Sequence, residues 1–202
     1  MNSRAFTKTY GTQTVLTIPD MEWAPRCIYA VIGANGSGKS TLAKIISGAE
    51  PSDGKQKPFS DISVGYLPQK PYAFRMRLEK NLYLNGSDHA RAERLMNQLG
   101  LASLCRKPAH RLSGGETAKL ALARLLMRDY DLLILDEPTA AMDMESTLAA
   151  EKLIQTYRDQ TGCTVILITH SLRQAQRISN RIIYLEQGEL MEIGKASCRE
   201  RV

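Results

Sequence analysis

The chain has 202 residues, 43% hydrophobic and 24% charged, and its 27 Lys and Arg against 21 Asp and Glu give a formal charge of +6. These values suit one globular domain, or one domain with an inserted lobe, holding enough apolar residues for a sizeable core. They exclude a spanning helix, since runs such as Val165–Ile168 fall far short of the ~20 apolar residues required, and no Lys/Arg run reads as a nucleic-acid arm. The basic excess suits a phosphate-bearing ligand, an anionic membrane surface or nucleic acid alike. Cys27, Cys105, Cys163 and Cys198 are scattered, with no Cys-x-x-Cys pair, and are read as free thiols in a reducing cytosol. No secretory leader pattern opens the chain.

In chain order, Ala5–Ile18 is strand-like with a turn at Tyr10-Gly11. A continuous apolar strand is predicted at Cys27–Ile32, a helix at Lys39–Ser47, and a second strand at Ser63–Leu67. From Gln69 to Met127 the pattern is helical, with helices at Ala90–Leu99 and Gly115–Met127, and residues 70–128 are read as an inserted helical lobe. Then follow a strand at Asp131–Leu135, a helix at Glu145–Asp159, a strand at Thr164–Thr169 and a helix at Leu172–Ser179. The pattern closes on a hairpin, Arg181–Leu185 and Leu190–Ile193, around Glu186-Gln187-Gly188-Glu189. Buried strands alternating with helices predict an α/β fold with a mainly parallel sheet covered on both sides. Residues 1–194 are read as a single domain and 195–202 as a tail, with Ala196–Val202 a candidate cloning remnant.

Residues 33–40, Gly33-Ala34-Asn35-Gly36-Ser37-Gly38-Lys39-Ser40, match the phosphate-loop pattern G-x-x-x-x-G-K-[ST], and Thr41 continues the helix. The predicted strand before it and the helix after it are what the chemistry requires. The glycines let backbone N–H groups converge on phosphate oxygens, and the helix N-terminus adds partial positive charge. Lys39 is placed to reach the β- and γ-phosphates and the Ser40 hydroxyl to hold Mg²⁺.

Leu132-Leu133-Ile134-Leu135-Asp136-Glu137 ends a strand in two acids. Carboxyl ends of parallel strands face the ligand crevice, so Asp136 is predicted near Mg²⁺. Side chains alternate along a strand, so Glu137 points elsewhere and can polarise a water for attack on the γ-phosphate.

A third motif, Leu112-Ser113-Gly114-Gly115-Glu116, precedes a helix leading into the Asp136 strand. Together these motifs resemble the nucleotide-binding subunit of an ABC transporter, over about residues 5 to 194. The resemblance implies a phosphate-loop NTPase core with a small antiparallel β lobe and an inserted helical lobe. The short span from Lys39 to Gln69 implies that the antiparallel lobe is trimmed. The resemblance also implies ATP and Mg²⁺ as ligands, and a head-to-tail dimer in which Ser113, Gly114 and Gly115 of one copy address the γ-phosphate held by the other. Gln69 matches the glutamine loop, which touches the Mg²⁺ and attacking-water region. His170, after Val165–Thr169, matches the switch histidine. Tyr10 resembles the aromatic that stacks on adenine. Asp143, in Ala140-Ala141-Met142-Asp143, matches the D-loop aspartate, although Ala140 stands where that loop often has serine. His89 and His110 match no motif and are read as surface residues.

By the same resemblance the chain is an ATP-hydrolysing subunit, cytoplasmic and peripheral on the inner face of the plasma membrane. It would drive transport, import in particular, through separate permease subunits that dock near Gln69–Met76 against Tyr72, Phe74 and Met76. The stretch Gln69-Lys70-Pro71-Tyr72-Ala73-Phe74-Arg75-Met76 is similar to that of oxyanion importers for phosphate or tungstate. No nucleic-acid partner is expected. The alternatives are a non-transport relative in DNA repair or translation, and a phosphate-loop kinase, which would lack Leu-Ser-Gly-Gly-Glu.

Overall fold

The computed structural model describes residues 1–55 and 57–195; the predicted tail of Ala196–Val202 lies outside the described residues. The chain divides into two compact units. The first comprises Met1–Tyr66, Tyr130–Glu137 and the chain from Gly162 onward; the second comprises Leu67–Asp129 and Pro138–Thr161.

Its strands are β1 (Asn2–Ser3), β2 (Phe6–Tyr10), β3 (Gln13–Ile18), β4 (Met21–Glu22), β5 (Ile28–Ile32), β6 (Val64–Leu67), β7 (Leu132–Asp136), β8 (Thr164–Ile168), β9 (Arg181–Glu186) and β10 (Glu189–Lys195). The helices are α1 (Lys39–Ser47), α2 (Leu78–Leu82), α3 (His89–Gln98), α4 (Gly114–Leu125), α5 (Met144–Thr161) and α6 (Leu172–Ile178). Eight strands form one sheet in the order β2-β3-β10-β9-β5-β8-β7-β6, while β1 and β4 pair separately.

The central strands β5, β7 and β8 run parallel and are buried along almost their whole length. Continuous Val, Ile and Leu runs produce this, because a strand covered on both faces has no solvated side to fill with polar residues. The hairpin β9–β10 is antiparallel, and β9 alternates, with Ile183 and Leu185 buried on either side of exposed Tyr184. The β2–β3 hairpin joins the sheet through a parallel contact of Thr17 with Glu189. The predicted α/β class therefore holds, with a mostly parallel sheet and a small antiparallel part.

One apolar cluster in the core of this unit includes Leu16, Ile18, Trp23, Tyr29, Leu42, Ile134, Ile166 and Leu185. Trp23 meets Tyr29 edge-on at 4.8 Å, and its indole N–H donates to Ser3 Oγ at 2.9 Å. That bond explains the two-residue β1–β4 pair, which sequence periodicity does not predict because two residues carry no period.

In the second unit Asp88 caps α3 by accepting from the Arg91 N–H at 2.9 Å, and Asn85 covers the end of α4 by donating to the carbonyls of Arg124 and Leu125. Helix α4 begins at Gly114, one residue before the predicted Gly115, because Ser113 is its N-cap. The compact unit that holds the predicted lobe, residues 70–128, also takes in α5. Tyr157 of α5 donates its hydroxyl to the Arg128 carbonyl at 2.9 Å, tying that helix to the segment after α4.

Candidate functional site

In the first unit, β5 delivers the chain into the Gly33–Gly38 loop, and α1 starts at Lys39. Gly38 is the N-cap of α1 with φ of 100°, and no side chain caps the helix. The first-turn N–H groups and the positive end of the helix dipole thus lack a side-chain acceptor. A Cβ at Gly38 would lie 2.7 Å from Leu16 Cδ2 and 3.2 Å from the Val15 carbonyl, so glycine is required by both conformation and space. The turn is closed by the Ser37 N–H donating to the Ala34 carbonyl at 3.2 Å.

Lys39 is only 6% exposed. Its ammonium donates to the carbonyls of Gly33 at 2.9 Å and Ala34 at 2.7 Å. Burial lowers its pKa, and the Glu137 and Asp136 carboxylates oppose that shift. The loop therefore holds a cation inside it, aligned with the helix N-terminus.

Asp136 ends β7 and is 1% exposed. Burial pushes its carboxyl above the usual range; Ser40 holds it back by a hydrogen bond, while neighbouring Glu137 raises it again. The nearby Tyr66 phenol is pushed up to about 12, first by burial and then by the Asp136 charge. Among the described residues Asp136 Oδ1 has no hydrogen-bond partner. An orphaned buried carboxylate oxygen beside a serine hydroxyl is an all-oxygen donor pair, which fits a hard divalent cation such as Mg²⁺.

This has a measurable consequence for stability. A carboxyl whose folded pKa is raised favours its neutral form, so the stability it lends is full at low pH and is lost as pH rises through the folded value. Asp136→Asn, which is neutral at every pH, is expected to raise the melting temperature of the nucleotide-free protein at neutral pH and to flatten its pH dependence above the ordinary carboxylate range. Thermal melts across pH check this; a lower melting temperature at neutral pH would contradict it.

Glu137 adopts φ of 51°, a left-handed conformation for a non-glycine residue. Such strain costs about 1–3 kcal/mol and concentrates at functional sites. Its N–H donates to the Ile168 carbonyl at 3.0 Å, and its carboxylate Oε1 lies 2.5 Å from His170 Nε2. The two residues, expected separately from the sequence, form a direct pair between the ends of β7 and β8. Tyr10, at the end of β2, is 47% exposed, and its hydroxyl meets both Glu50 and the Thr41 side chain. One unit therefore gathers Tyr10, Gly33–Thr41, Asp136, Glu137 and His170.

The remaining predicted residues belong to the second unit. Ser113 and Glu116 form a capping box: the Ser113 hydroxyl accepts from the Glu116 N–H at 3.2 Å, and Glu116 Oε2 accepts from the Ser113 N–H at 2.8 Å. Lys107 also donates to that carboxylate at 2.9 Å. The Ser113 N–H first, then Lys107, hold the Glu116 carboxyl below its usual range. A Cβ at Gly115 would lie 2.8 Å from the Ala141 carbonyl, so a bare backbone there lets residues 112–116 pack on the 140–143 loop. Asp143 accepts from the Ser146 N–H at 2.7 Å and so anchors the first turn of α5. Gln69 is exposed, as are His89 and His110. Sequence reasoning missed Glu50 beside Tyr10 and Tyr66 beside Asp136, because each joins the site from a distant part of the chain; it also missed Lys8, two residues before Tyr10 on β2, because no motif marks it.

A family profile described as ABC transporter matches residues 17–140. The chain belongs to the ABC transporter family. As an ABC ATPase it binds and hydrolyses ATP. It is 37% identical over 200 residues to the tungstate uptake system ATP-binding protein TupC of Peptoclostridium acidaminophilum, covering 92% of this chain and 94% of that one. It is also 37% identical over 163 residues to the zinc import ATP-binding protein ZnuC of Chelativorans sp. (strain BNC1), covering 78% of this chain and 58% of that relative. A dimeric ATP-binding cassette in a post-hydrolysis state, bound to ADP and Pi, shares the ABC fold with a TM-score of 0.83 at 22% identity, over 98% of this chain and 99% of that one.

Proposed function

We propose that this ABC ATPase is the energy-supplying subunit of an importer for an oxyanion of the tungstate or phosphate kind. Two copies would work head to tail on separate permease subunits at the inner face of the membrane. The supporting observation is the 37% identity to a tungstate uptake subunit over nearly the full length of both chains. No described helix is long and apolar enough to cross a membrane; in this reading the translocation path is supplied by the permease subunits.

In this reading the N–H groups of Gly33–Thr41 and the Lys39 ammonium grip the phosphates, and Tyr10 offers its ring to the adenine. Ser40 and Asp136 Oδ1 would hold Mg²⁺, which supplies charge neutralisation at the phosphates when bound. Glu137 takes a proton from the attacking water, and His170, hydrogen-bonded to it, orients the carboxylate and reaches toward the γ-phosphate. The capped N-terminus of α4, at Ser113, Gly114 and Gly115, addresses the γ-phosphate bound by the other copy. Loss of that phosphate removes the shared anion, and the dimer loosens.

Tyr72 and Phe74 support a docking surface just beyond Gln69. They are 57% and 40% exposed and meet edge-on at 5.1 Å. The Arg124 guanidinium lies 5.2 Å from both ring centroids and donates to the Tyr72 carbonyl, which props the rings outward. A short apolar helix of a permease would fit against them.

Uptake of radiolabelled tungstate by cells carrying this chain with its permease, compared with cells lacking only this chain, tests the reading. Loss of uptake is expected. Equal uptake in the two strains of tungstate, and of radiolabelled phosphate measured the same way, would exclude the oxyanion-importer assignment.

A further inference from the structure

The strand that carries Tyr10 is held to the turn after α1 by a set of contacts unrelated to phosphate binding. The Tyr10 hydroxyl donates to the Glu50 carboxylate. The Lys8 ammonium lies 3.2 Å from Glu50, donates to the Pro51 carbonyl at 2.8 Å and stands 5.1 Å from the centroid of the Tyr10 ring. Asp53, three residues on, accepts from the Thr9 N–H at 3.0 Å, and its own N–H donates to the Thr7 carbonyl at 3.1 Å. The Tyr10 hydroxyl and the Lys8 ammonium hold the Glu50 carboxyl below its usual range.

Tyr10 has an otherwise exposed ring on the last residue of an edge strand, and a free tyrosine there would sample several rotamers. The contacts remove that freedom from both ends. Glu50 fixes the hydroxyl, and Lys8 lies over the ring, so a flat partner has the opposite ring face to stack on.

We propose that Glu50 and Lys8 are positioning residues for the nucleotide base, which lock the Tyr10 ring in one orientation and select which of its faces the base stacks on. This rests on the reading that Tyr10 is the base platform. Pre-ordering one side chain in its bound rotamer avoids an ordering cost on binding, and the benefit goes to ligands that carry a base.

Titration calorimetry of the purified chain with ATP and, separately, with inorganic tripolyphosphate tests the proposal. Glu50→Ala is expected to weaken ATP binding by about three- to tenfold and to leave tripolyphosphate binding as it is. Glu50→Gln, whose amide oxygen still accepts from the phenol, is expected to restore most of the ATP affinity. In turnover assays of Glu50→Ala the loss is read in KM rather than kcat. Unchanged ATP affinity in Glu50→Ala, or an equal loss for ATP and tripolyphosphate, overturns the proposal. Tyr10→Ala separates the two layers. If it leaves ATP affinity intact, the platform reading itself fails; if it weakens ATP binding while Glu50→Ala does not, only the positioning role fails.

Discussion

Glu137→Gln is expected to abolish steady-state ATP hydrolysis, lowering it by a factor of about 10²–10⁴, while ATP binding persists and the protein accumulates as a dimer. The substitution is nearly isosteric and removes only the basic oxygen. Glutamine retains a carbonyl oxygen toward His170, so the 2.5 Å pairing of the two residues keeps an acceptor. In the proposed reading the phosphates are gripped by Gly33–Thr41 and not by Glu137, so affinity is expected to hold. In the proposed head-to-tail dimer, an uncleaved γ-phosphate would then stay between the phosphate loop of one copy and the α4 N-terminus of the other. Phosphate-release assays read the turnover, and gel filtration with and without ATP reads the dimer. Wild-type turnover in the variant would remove Glu137 from the base role, and a variant that stays monomeric in ATP would remove the head-to-tail dimer.

Lys39→Ala is expected to lower ATP affinity by a factor of about 10–10², since hydrogen bonds to charged groups are each worth about 1.5–3 kcal/mol. Two effects add. The phosphates lose their buried cation, and the carbonyls of Gly33 and Ala34 lose the donor that now satisfies them. The second effect predicts a looser loop even without nucleotide, so the melting temperature of the free protein should fall as well. Lys39→Arg keeps the charge but lengthens and flattens the donor, and a loop this tightly wrapped on an ammonium should not accommodate it fully. Titration calorimetry with ATP is the measurement; an unchanged dissociation constant for Lys39→Ala would contradict the phosphate role.

Much of the candidate site was legible in the sequence. The phosphate loop, the Asp136-Glu137 pair and Leu-Ser-Gly-Gly-Glu are each contiguous, and each needs particular residue types for a local reason. Gly38 must take a positive φ, Ser113 must cap a helix, and Asp136 must end a buried strand. Helix α1 matches its expected bounds, and the buried strands match within a residue at most ends, because an uninterrupted apolar run has few places to stop. Helix α2 was not foreseen, since five residues are too few for a 3.6-residue period to show. The N-terminal ends of α4 and α5 moved by one residue to follow their capping side chains, Ser113 and Asp143.

By itself, then, the amino-acid sequence determined the chemistry available: which residues can hold phosphate, which carboxylates can meet a cation or activate water, and that strands and helices alternate to present them. These properties live in neighbouring residues and survive any arrangement of the rest. Only the tertiary structure decided which groups face one another. It joined Glu137 to His170, Tyr10 to Glu50, and Gly115 to Ala141, and it left Asp136 Oδ1 buried without a partner among the described residues. The physical reason is that strand pairing and helix docking bring distant segments within a few ångströms, and no local period in the chain encodes which side chains then meet.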